Sequence, residues 1–374
     1  MKEKHSLFWH ITIFVLFIFW ATVFASQEKA IIENPEKPLN KNAGRVIQLK
    51  EVIRVKDEEG KFYFSGPWDI VVARDGSFFI HEPNKIYKFD ANGKFVKNFY
   101  KKGEGPGELN QNLTEIIVRE DNIILASSNM YKIIRLDMRG NLIEDIRPEW
   151  KFSTVVGYYN GKYFLTQYER KSLGKKISEI REENLRLVVA SDEREITPTP
   201  YIFPVTVSIN VWGRGISSAS ISRFQRVDED QRYVYLFHTP EYLVKLLDLE
   251  KIEVIRSFRR KYDRVKRIPL KESKIPLLMP KFHNDIYRLA IHKNNLWVIT
   301  STVDKEKGIL VDVFNREGKY LDNFYLPLRN IKRNDHLYAP MAVYKDFLYV
   351  IEIGEDELIS VAKYEIHDEG SSSS

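Results

Sequence analysis

One unit of apolar segments and tight turns recurs along this sequence, and an internal repeat of this kind restricts the possible architectures more than any other feature. The clearest copy begins at Trp68 and reads WDIVVA, SFFIHE, KIYKFD and KFVKNFY, with Asp-Gly and Asn-Gly turns after the first and third segments. Short segments rich in Val, Ile, Phe and Tyr that are bounded by such turns are typical of antiparallel strands joined by hairpins. The unit therefore predicts a four-stranded sheet.

Five further copies follow, and they begin with the segments TEIIVR, STVVGYY, ISRFQRV, DIYRLAI and MAVY. The last copy has only three segments, whereas an unassigned apolar segment, RVIQLKEVIRV, precedes the first copy. If this segment supplies the missing strand, the repeats close into a ring and no sheet edge of the last unit is left open. The sequence thus predicts an all-β fold, a six-bladed β-propeller of four-stranded antiparallel blades, closed by an N-terminal strand that joins the last blade. A pair of β-sandwiches would explain the strands but not their period.

Three stretches outside the repeats complete the predicted organisation. Residues 1–25 place Lys2 and Lys4 before an apolar run at positions 7–24 and a Val-Phe-Ala cleavage pattern, which predicts a signal peptide or an N-terminal anchor. Residues 26–43 are polar and predict a linker, residues 44–368 form the propeller, and the Ser-rich residues 369–374 form a disordered tail. We expect an exported protein, periplasmic, cell-surface or secreted, that contacts a membrane only if residues 7–24 are retained.

The composition of the chain excludes several kinds of site and partner. The chain has no cysteine, which excludes disulfides, thiolate catalysis and cysteine-ligated metals. Its net charge of +6 is spread along the sequence, with acidic residues among the basic ones, so no basic arm is evident. Export argues against a nucleic-acid partner, and we expect a monomer whose partner is a protein, a peptide or a glycan.

Residues 89–109, FDANGKFVKNFYKKGEGPGEL, resemble a bacterial six-bladed propeller family related to NHL-repeat proteins. Members of that family carry an aromatic-Asp-x-x-Gly-x-aromatic turn followed by a G-x-G-P-G-E loop between blades. Other copies keep part of the turn, as in Leu136-Asp137 with Gly140. The resemblance implies the propeller fold and, because this fold hosts many activities, it implies little about function.

The lengths of the connections indicate a binding face. If the strands of each blade are numbered from the axis outward, the turns between the first and second strands are all short, whereas the long connections, at 101–112, 169–183, 197–220, 259–284 and 327–340, emerge on the opposite face. Long loops on one face of a repeat protein often form its binding surface. The candidate ligand-binding residues at the channel mouth on that face are Trp68, Asp69, His81, Asn112, Arg223, His238, Tyr242, Asn284 and Asp285. Alternatively, these residues pack between blades or cap loop backbones.

Other motifs give weaker indications. The segment GEGPGE at 103–108 lacks the Gly-Lys-Ser/Thr ending of a phosphate-binding loop, so a structural turn between blades is the favoured interpretation. We predict no cofactor and no metal ligands. A divalent metal could be held only if folding brought together histidines of different blades, which are His81, His238, His283, His292 and His336. The basic stretch 256–267 is either a surface for anionic ligands or a solvated loop.

The sequence is compatible with two functional hypotheses. The first is a non-enzymatic binding or scaffold propeller in a bacterial envelope. The second is a propeller hydrolase or lyase with its site at the channel mouth, with or without a metal. No sequence motif assigns catalytic residues, since a Gly-x-Ser-x-Gly nucleophile elbow is absent.

Overall fold

The structure is a computed structural model of the full chain. It describes residues 30–110, 115–127, 131–169, 178–191, 194–212, 215–220, 224–228, 230, 232–267, 278–328, 332–333, 336–337 and 340–368. The predicted signal peptide or anchor and the predicted C-terminal tail lie outside these residues. Within them, no helix is long and apolar enough to cross a bilayer.

Every regular element of the described chain is a β-strand. Three strands precede the repeats: β1 (Ile32–Asn34), β2 (Arg45–Val46) and β3 (Gln48–Val55). Blade one contains β4 (Asp69–Val72), β5 (Phe78–Glu82), β6 (Lys85–Phe89) and β7 (Phe95–Asn98), and blade two contains β8 (Glu115–Val118), β9 (Asn122–Ser127), β10 (Lys132–Asp137) and β11 (Leu142–Ile146). Blade three contains β12 (Thr154–Tyr159), β13 (Lys162–Glu169), β14 (Glu179–Ala190), β15 (Ile196–Trp212) and β16 (Gly215–Ser220).

The second half of the chain continues this order. Blade four contains β17 (Gln225–Asp228), β18 (Tyr233–Phe237), β19 (Val244–Asp248) and β20 (Glu253–Arg260), and blade five contains β21 (Ile286–His292), β22 (Asn295–Asp304), β23 (Gly308–Phe314) and β24 (Tyr320–Leu326). A small pair, β25 (Lys332–Arg333) and β26 (His336–Leu337), precedes β27 (Met341–Tyr344), β28 (Phe347–Ile353) and β29 (Ile359–His367) of blade six.

The blades form a closed ring, which confirms the predicted six-bladed fold. Innermost strands of neighbouring blades contact one another around the axis, as in the pairs β27 and β4, β21 and β27, and β4 and β8. Blade six is completed by β3, which pairs antiparallel with β29 from Val361 opposite Val55 to His367 opposite Gln48. The N-terminal segment therefore supplies the missing strand, because the sixth repeat alone would leave the edge of β29 open.

Two short strands before β3 pair with the outer edges of other blades: β1 lies in the predicted linker, 26–43, and β2 lies at the start of the predicted propeller. β1 pairs parallel with β20 of blade four, and β2 pairs parallel with β24 of blade five. We call residues 30–46 the N-terminal strap. Asn34 joins the strap to two blades, since its side-chain amide donates to the carbonyl of Arg259 in blade four at 3.2 Å and to the carbonyl of Gly318 in blade five at 2.9 Å. Its Oδ1 accepts from the Tyr320 amide at 2.8 Å.

The hydrophobic core is divided among the interfaces between blades. The described residues form six apolar clusters, and each is shared by two neighbouring blades around the ring. Because both faces of each sheet are covered by another blade, the middle strands are almost continuously apolar. β5 and β9, for example, are buried along their whole lengths. This explains why strands such as IILAS do not alternate between polar and apolar residues.

Blade three differs from the prediction. Residues 197–220 were expected to form a connecting loop, but most of them form β15 and β16, and β14 pairs with β15 from Glu179 opposite Ile209 to Ala190 opposite Ile196. The physical reason is a buried alternating face: Phe203, Val205 and Val207 pack into the cluster shared with blade four. The hairpin formed by β14 and β15 is longer than β13. Glu169, the last residue of β13, pairs with Asn184 in the middle of β14, so the first half of β14 extends past the end of β13.

Candidate ligand-binding face

The face that carries the connections between blades is called the long-loop face, and the opposite face, which carries the turns between first and second strands, is called the short-turn face. Three aromatic side chains are exposed in the described part of the chain: Tyr63 (60%), Trp68 (46%) and Tyr168 (36%). Tyr63 and Trp68 lie in the connection from β3 to β4, and Tyr168 lies near the end of β13. All three are therefore on the long-loop face.

Trp68 and Asp69 stand where the innermost strand of blade one begins. The Trp68 amide donates to the His81 carbonyl at 2.7 Å, and the indole contacts the His81 ring edge to face, with 5.8 Å between ring centroids. Because His81 is buried and its ring is fixed, its contact with the Trp68 indole restrains the orientation of the indole. The candidate residues Trp68, Asp69 and His81 are thus brought together at the mouth of the channel.

Arg288 is a functional candidate that sequence reasoning missed. It lies on β21, the innermost strand of blade five, and forms an ion pair with Asp69 of blade one. Blades five and one are separated by blade six, so the pair spans the mouth of the channel. A β-bulge between Ile286 and Arg288 interrupts the pairing with β22. Bulges redirect side chains, which accounts for the aim of Arg288 toward Asp69. The available sequence signal was one charged residue inside an otherwise apolar innermost strand.

His238 and Tyr242 are buried. His238 Nδ1 lies 2.8 Å from the carbonyl oxygen of Pro204, which ties blade four to the long hairpin of blade three. The Tyr242 hydroxyl donates to Asp312 at 2.8 Å, and burial together with Asp312 raises the pKa of Tyr242 well above its ordinary value. Both side chains therefore hold neighbouring blades together, and their role toward a ligand stays a prediction.

Asp312 is the centre of a buried network between blades four and five. It accepts hydrogen bonds from Tyr320 at 2.6 Å and from Arg260 at 2.8 Å and 3.1 Å, in addition to Tyr242. The Arg260 guanidinium lies 5.0–5.3 Å from the ring centroids of Tyr242, Tyr262 and Tyr320. A buried carboxylate with this many donors is satisfied within the protein, so the network is structural.

Asp285 is buried behind the channel mouth. It accepts from the Tyr242 amide at 3.0 Å and from Arg264 Nε at 2.9 Å. Burial raises the pKa of Asp285 to about 6, although Arg264 opposes the shift. Its neighbour Asn284 is half-buried. The other two candidates, Asn112 and Arg223, lie outside the described residues.

The glycine-rich loop is a structural turn. The Nζ of Lys132, whose side chain is 1% exposed, donates to the carbonyls of Gly105 at 2.9 Å and Glu108 at 2.7 Å and pairs with Asp145 at 3.0 Å. The amides of Gly105 and Gly107 donate to the carboxylates of Glu108 and Asp145. Because the chain's own carboxylates occupy these amides, the loop cannot offer them to a phosphate.

The basic stretch 256–267 is largely neutralised. Arg259 pairs with Glu33, Arg260 with Asp312, and Arg264 with both Asp285 and Glu241. Among the described residues, no group of three or more His, Asp and Glu side chains is arranged to hold a metal ion.

Comparisons with known proteins agree with this architecture. A family model described as a 6-bladed beta-propeller, DUF5128, matches residues 69–346. A candidate exported protein of Bacteroides fragilis has a similar structure, with a TM-score of 0.54 at 12% identity over 91% of this chain and 100% of its own. A DUF4221-family protein of Bacteroides vulgatus is also similar, with a TM-score of 0.51 at 13% identity over 87% of this chain and 99% of its own.

At these identities the solved structures support the fold alone. A search of curated proteins found no relative. The relationship to NHL-repeat proteins stays a prediction. The match to the family model covers most of the ring, from β4 to the turn before β28. The chain belongs to the DUF5128 family of six-bladed β-propellers.

Proposed function

We propose that this protein is an exported, non-enzymatic binding or scaffold propeller that recognises its ligand through the long-loop face. One observation carries the proposal: the exposed aromatic side chains of the described chain, Tyr63, Trp68 and Tyr168, all lie on that face. Exposed aromatic rings supply large apolar contact area with little loss of conformational freedom, and they are enriched where proteins bind partners. The signal-like residues 1–25 and the name of the Bacteroides fragilis neighbour support export.

The short-turn face has a different character. Its turns hold the blades to one another through ion pairs such as Arg74 with Glu120 and Lys293 with Asp346. The Tyr344 hydroxyl donates to the Arg74 carbonyl on the same side of the ring. We therefore assign a structural role to the short-turn face and recognition to the long-loop face.

The test compares the chain from Ser26 onward with a triple variant, Tyr63→Ala, Trp68→Ala and Tyr168→Ala, in retention of ligands from a glycan array and from envelope extracts. A matched control carries Lys94→Ala, Lys162→Ala and Lys251→Ala, three exposed residues in or next to the turns of the short-turn face. We expect the long-loop variant to lose the retained ligand and the control to keep it, with both folded by circular dichroism. Equal retention by both variants would refute the assignment of recognition to the long-loop face.

A further inference from the structure

We propose that the channel mouth binds an acidic saccharide, with Arg288 holding the carboxylate of a uronic acid residue and Trp68 stacking on its ring. This inference rests on the proposed function and names the ligand class for the same face. It depends on three residues at the channel mouth: Arg288 of blade five and Asp69 of blade one, which form an ion pair, and Trp68, which precedes Asp69 in the chain and is exposed.

The Arg288 guanidinium has hydrogen-bond donors that no described residue uses. Its Nη2 donates to Asp69 Oδ1, and this is its one hydrogen-bonded contact with the described residues, so its Nε and Nη1 groups have no protein partner there. The Arg288 side chain is 17% exposed, which leaves the guanidinium accessible but held. Nη2 carries a second N–H besides the one that donates to Asp69, and this N–H together with the N–H of Nε or of Nη1 forms the parallel pair that binds a carboxylate.

Asp69 provides the complementary group. Its Oδ1 accepts from Arg288 and from the Ile70 amide at 2.9 Å, whereas its Oδ2 accepts no hydrogen bond from the described residues. The Asp69 side chain is 35% exposed. A free carboxylate oxygen beside a cation suits a ligand that carries hydroxyl donors next to its own carboxylate.

Trp68 supplies the third element. Its ring is 46% exposed and is held edge to face by the buried His81. A fixed, flat apolar surface next to a few convergent polar groups is the usual composition of a small-ligand site. A uronic acid residue combines a carboxylate, neighbouring hydroxyls and an apolar ring face, and so it matches Arg288, Asp69 and Trp68 in turn.

The Asp69–Arg288 pair also sets the selectivity of the site. A partly exposed ion pair contributes little free energy, so an incoming carboxylate can share or take over Arg288 at small cost. The negative charge of Asp69 nevertheless weakens the binding of any anion. Removing that charge is expected to strengthen the binding of an acidic ligand, whereas removing Arg288 is expected to weaken it strongly.

The test is calorimetric titration of the chain from Ser26 onward with a galacturonic acid trisaccharide and with a galactose trisaccharide as the neutral counterpart. We expect the acidic probe alone to bind well, with affinity reduced about tenfold or more by Arg288→Gln. Trp68→Ala should also weaken binding, and Asp69→Asn should strengthen it by a few fold. The matched control is Arg74→Gln, which removes an arginine from an ion pair between blades one and two on the short-turn face and should change nothing.

The outcomes separate this inference from the proposed function. Equal affinity for the two saccharides, or no effect of Arg288→Gln, would overturn the acidic-saccharide assignment. So would tighter, Arg288-dependent binding of a Glu-rich peptide. If neither saccharide binds but the long-loop face still retains a ligand from envelope extracts, this inference fails and the proposed function stands. If the unmutated chain also retains no ligand from the glycan array or from envelope extracts, both this inference and the proposed function fail.

Discussion

At the scale of single residues, the turn between the third and fourth strands of blades one, two and five depends on glycine for two reasons. Gly93, Gly140 and Gly318 all have φ near +80°, the left-handed region that other residues avoid. A Cβ at Gly318 would also lie 2.8 Å from the ring of Phe258, a buried residue on the outer strand of blade four. The glycine thus lets each turn pack against the preceding blade.

Gly318→Ala is expected to destabilise the protein more than Gly161→Ala. Gly161 has a similar φ of +74°, but a Cβ there would meet nothing within 4 Å. Gly161→Ala should therefore cost about 1 kcal/mol from backbone conformation alone, and Gly318→Ala should cost about 1–3 kcal/mol more from overpacking. Urea unfolding followed by tryptophan fluorescence measures both, and equal losses would show that packing against Phe258 contributes nothing.

Asp285 is expected to make stability depend on pH. Burial raises its pKa from 3.8 to about 6, so folding favours the protonated form. The stabilising contribution of the protonated form is complete below about pH 4 and is lost as pH rises through about 6. Relative to Asp285→Asn, which does not titrate, the free energy of unfolding of the wild type should fall by about 2 kcal/mol between pH 4 and pH 7. A relative rise instead would mean that the ion pair with Arg264 outweighs the cost of burial.

At the scale of elements, Lys132 determines the shape of the connection from blade one to blade two. Lys132→Met would keep the aliphatic part of the side chain but remove the ammonium donor from Asp145 and from the carbonyls of Gly105 and Glu108. We expect a loss of about 3 kcal/mol in the free energy of unfolding, together with faster hydrogen exchange at the Gly107 amide. The control, Lys102→Met, changes an exposed lysine of the same connection and should have almost no effect. Unchanged exchange at Gly107 would argue against this role of Lys132.

Some strands could be predicted from the sequence, whereas β15 and the contact of Arg288 with Asp69 could not. Segments such as SFFIHE and KIYKFD could be predicted because their turn residues and apolar runs are local signals. β15 contains Pro198, Pro200 and Pro204, which disfavour an interior strand, so the alternation of Phe203, Val205 and Val207 is a weak local signal. The position of Arg288 beside Asp69 depends on a β-bulge and on a contact across the ring. Neither has a local signature.

At the scale of the whole molecule, the N-terminal segment holds the ring together. Its three strands pair in turn with the outer edges of blades four, five and six, so about half of the circumference is bound by one continuous stretch. Only β3 replaces a missing strand, as the sequence predicts. β1 and β2 cover edges of blades that are already complete, which protects those edges from pairing with other chains.

Arg45 is expected to be the main polar contact in this closure. Its guanidinium, 17% exposed, donates to Asp368 at 2.6 Å and 2.8 Å, after the last strand, and to Asp322 of blade five at 2.9 Å and 3.1 Å. Arg45→Met would leave the two carboxylates close together without a cation. Since the group is partly buried, we expect a loss of about 2 kcal/mol in the free energy of unfolding and faster hydrogen exchange in β3.

The control for Arg45 is Arg259→Met, which breaks the exposed pair between Arg259 and Glu33 elsewhere on the strap. An exposed pair contributes at most about 1 kcal/mol, so this variant should unfold nearly as the wild type does. If both variants lose the same stability and β3 exchanges at its normal rate in Arg45→Met, closure depends on the backbone pairing of β3 with β29 and on apolar contacts. If only Arg45→Met speeds hydrogen exchange in β3, the Arg45 guanidinium adds to the backbone pairing of β3 with β29 in holding the ring closed, and the stability of the ring depends on its point of closure.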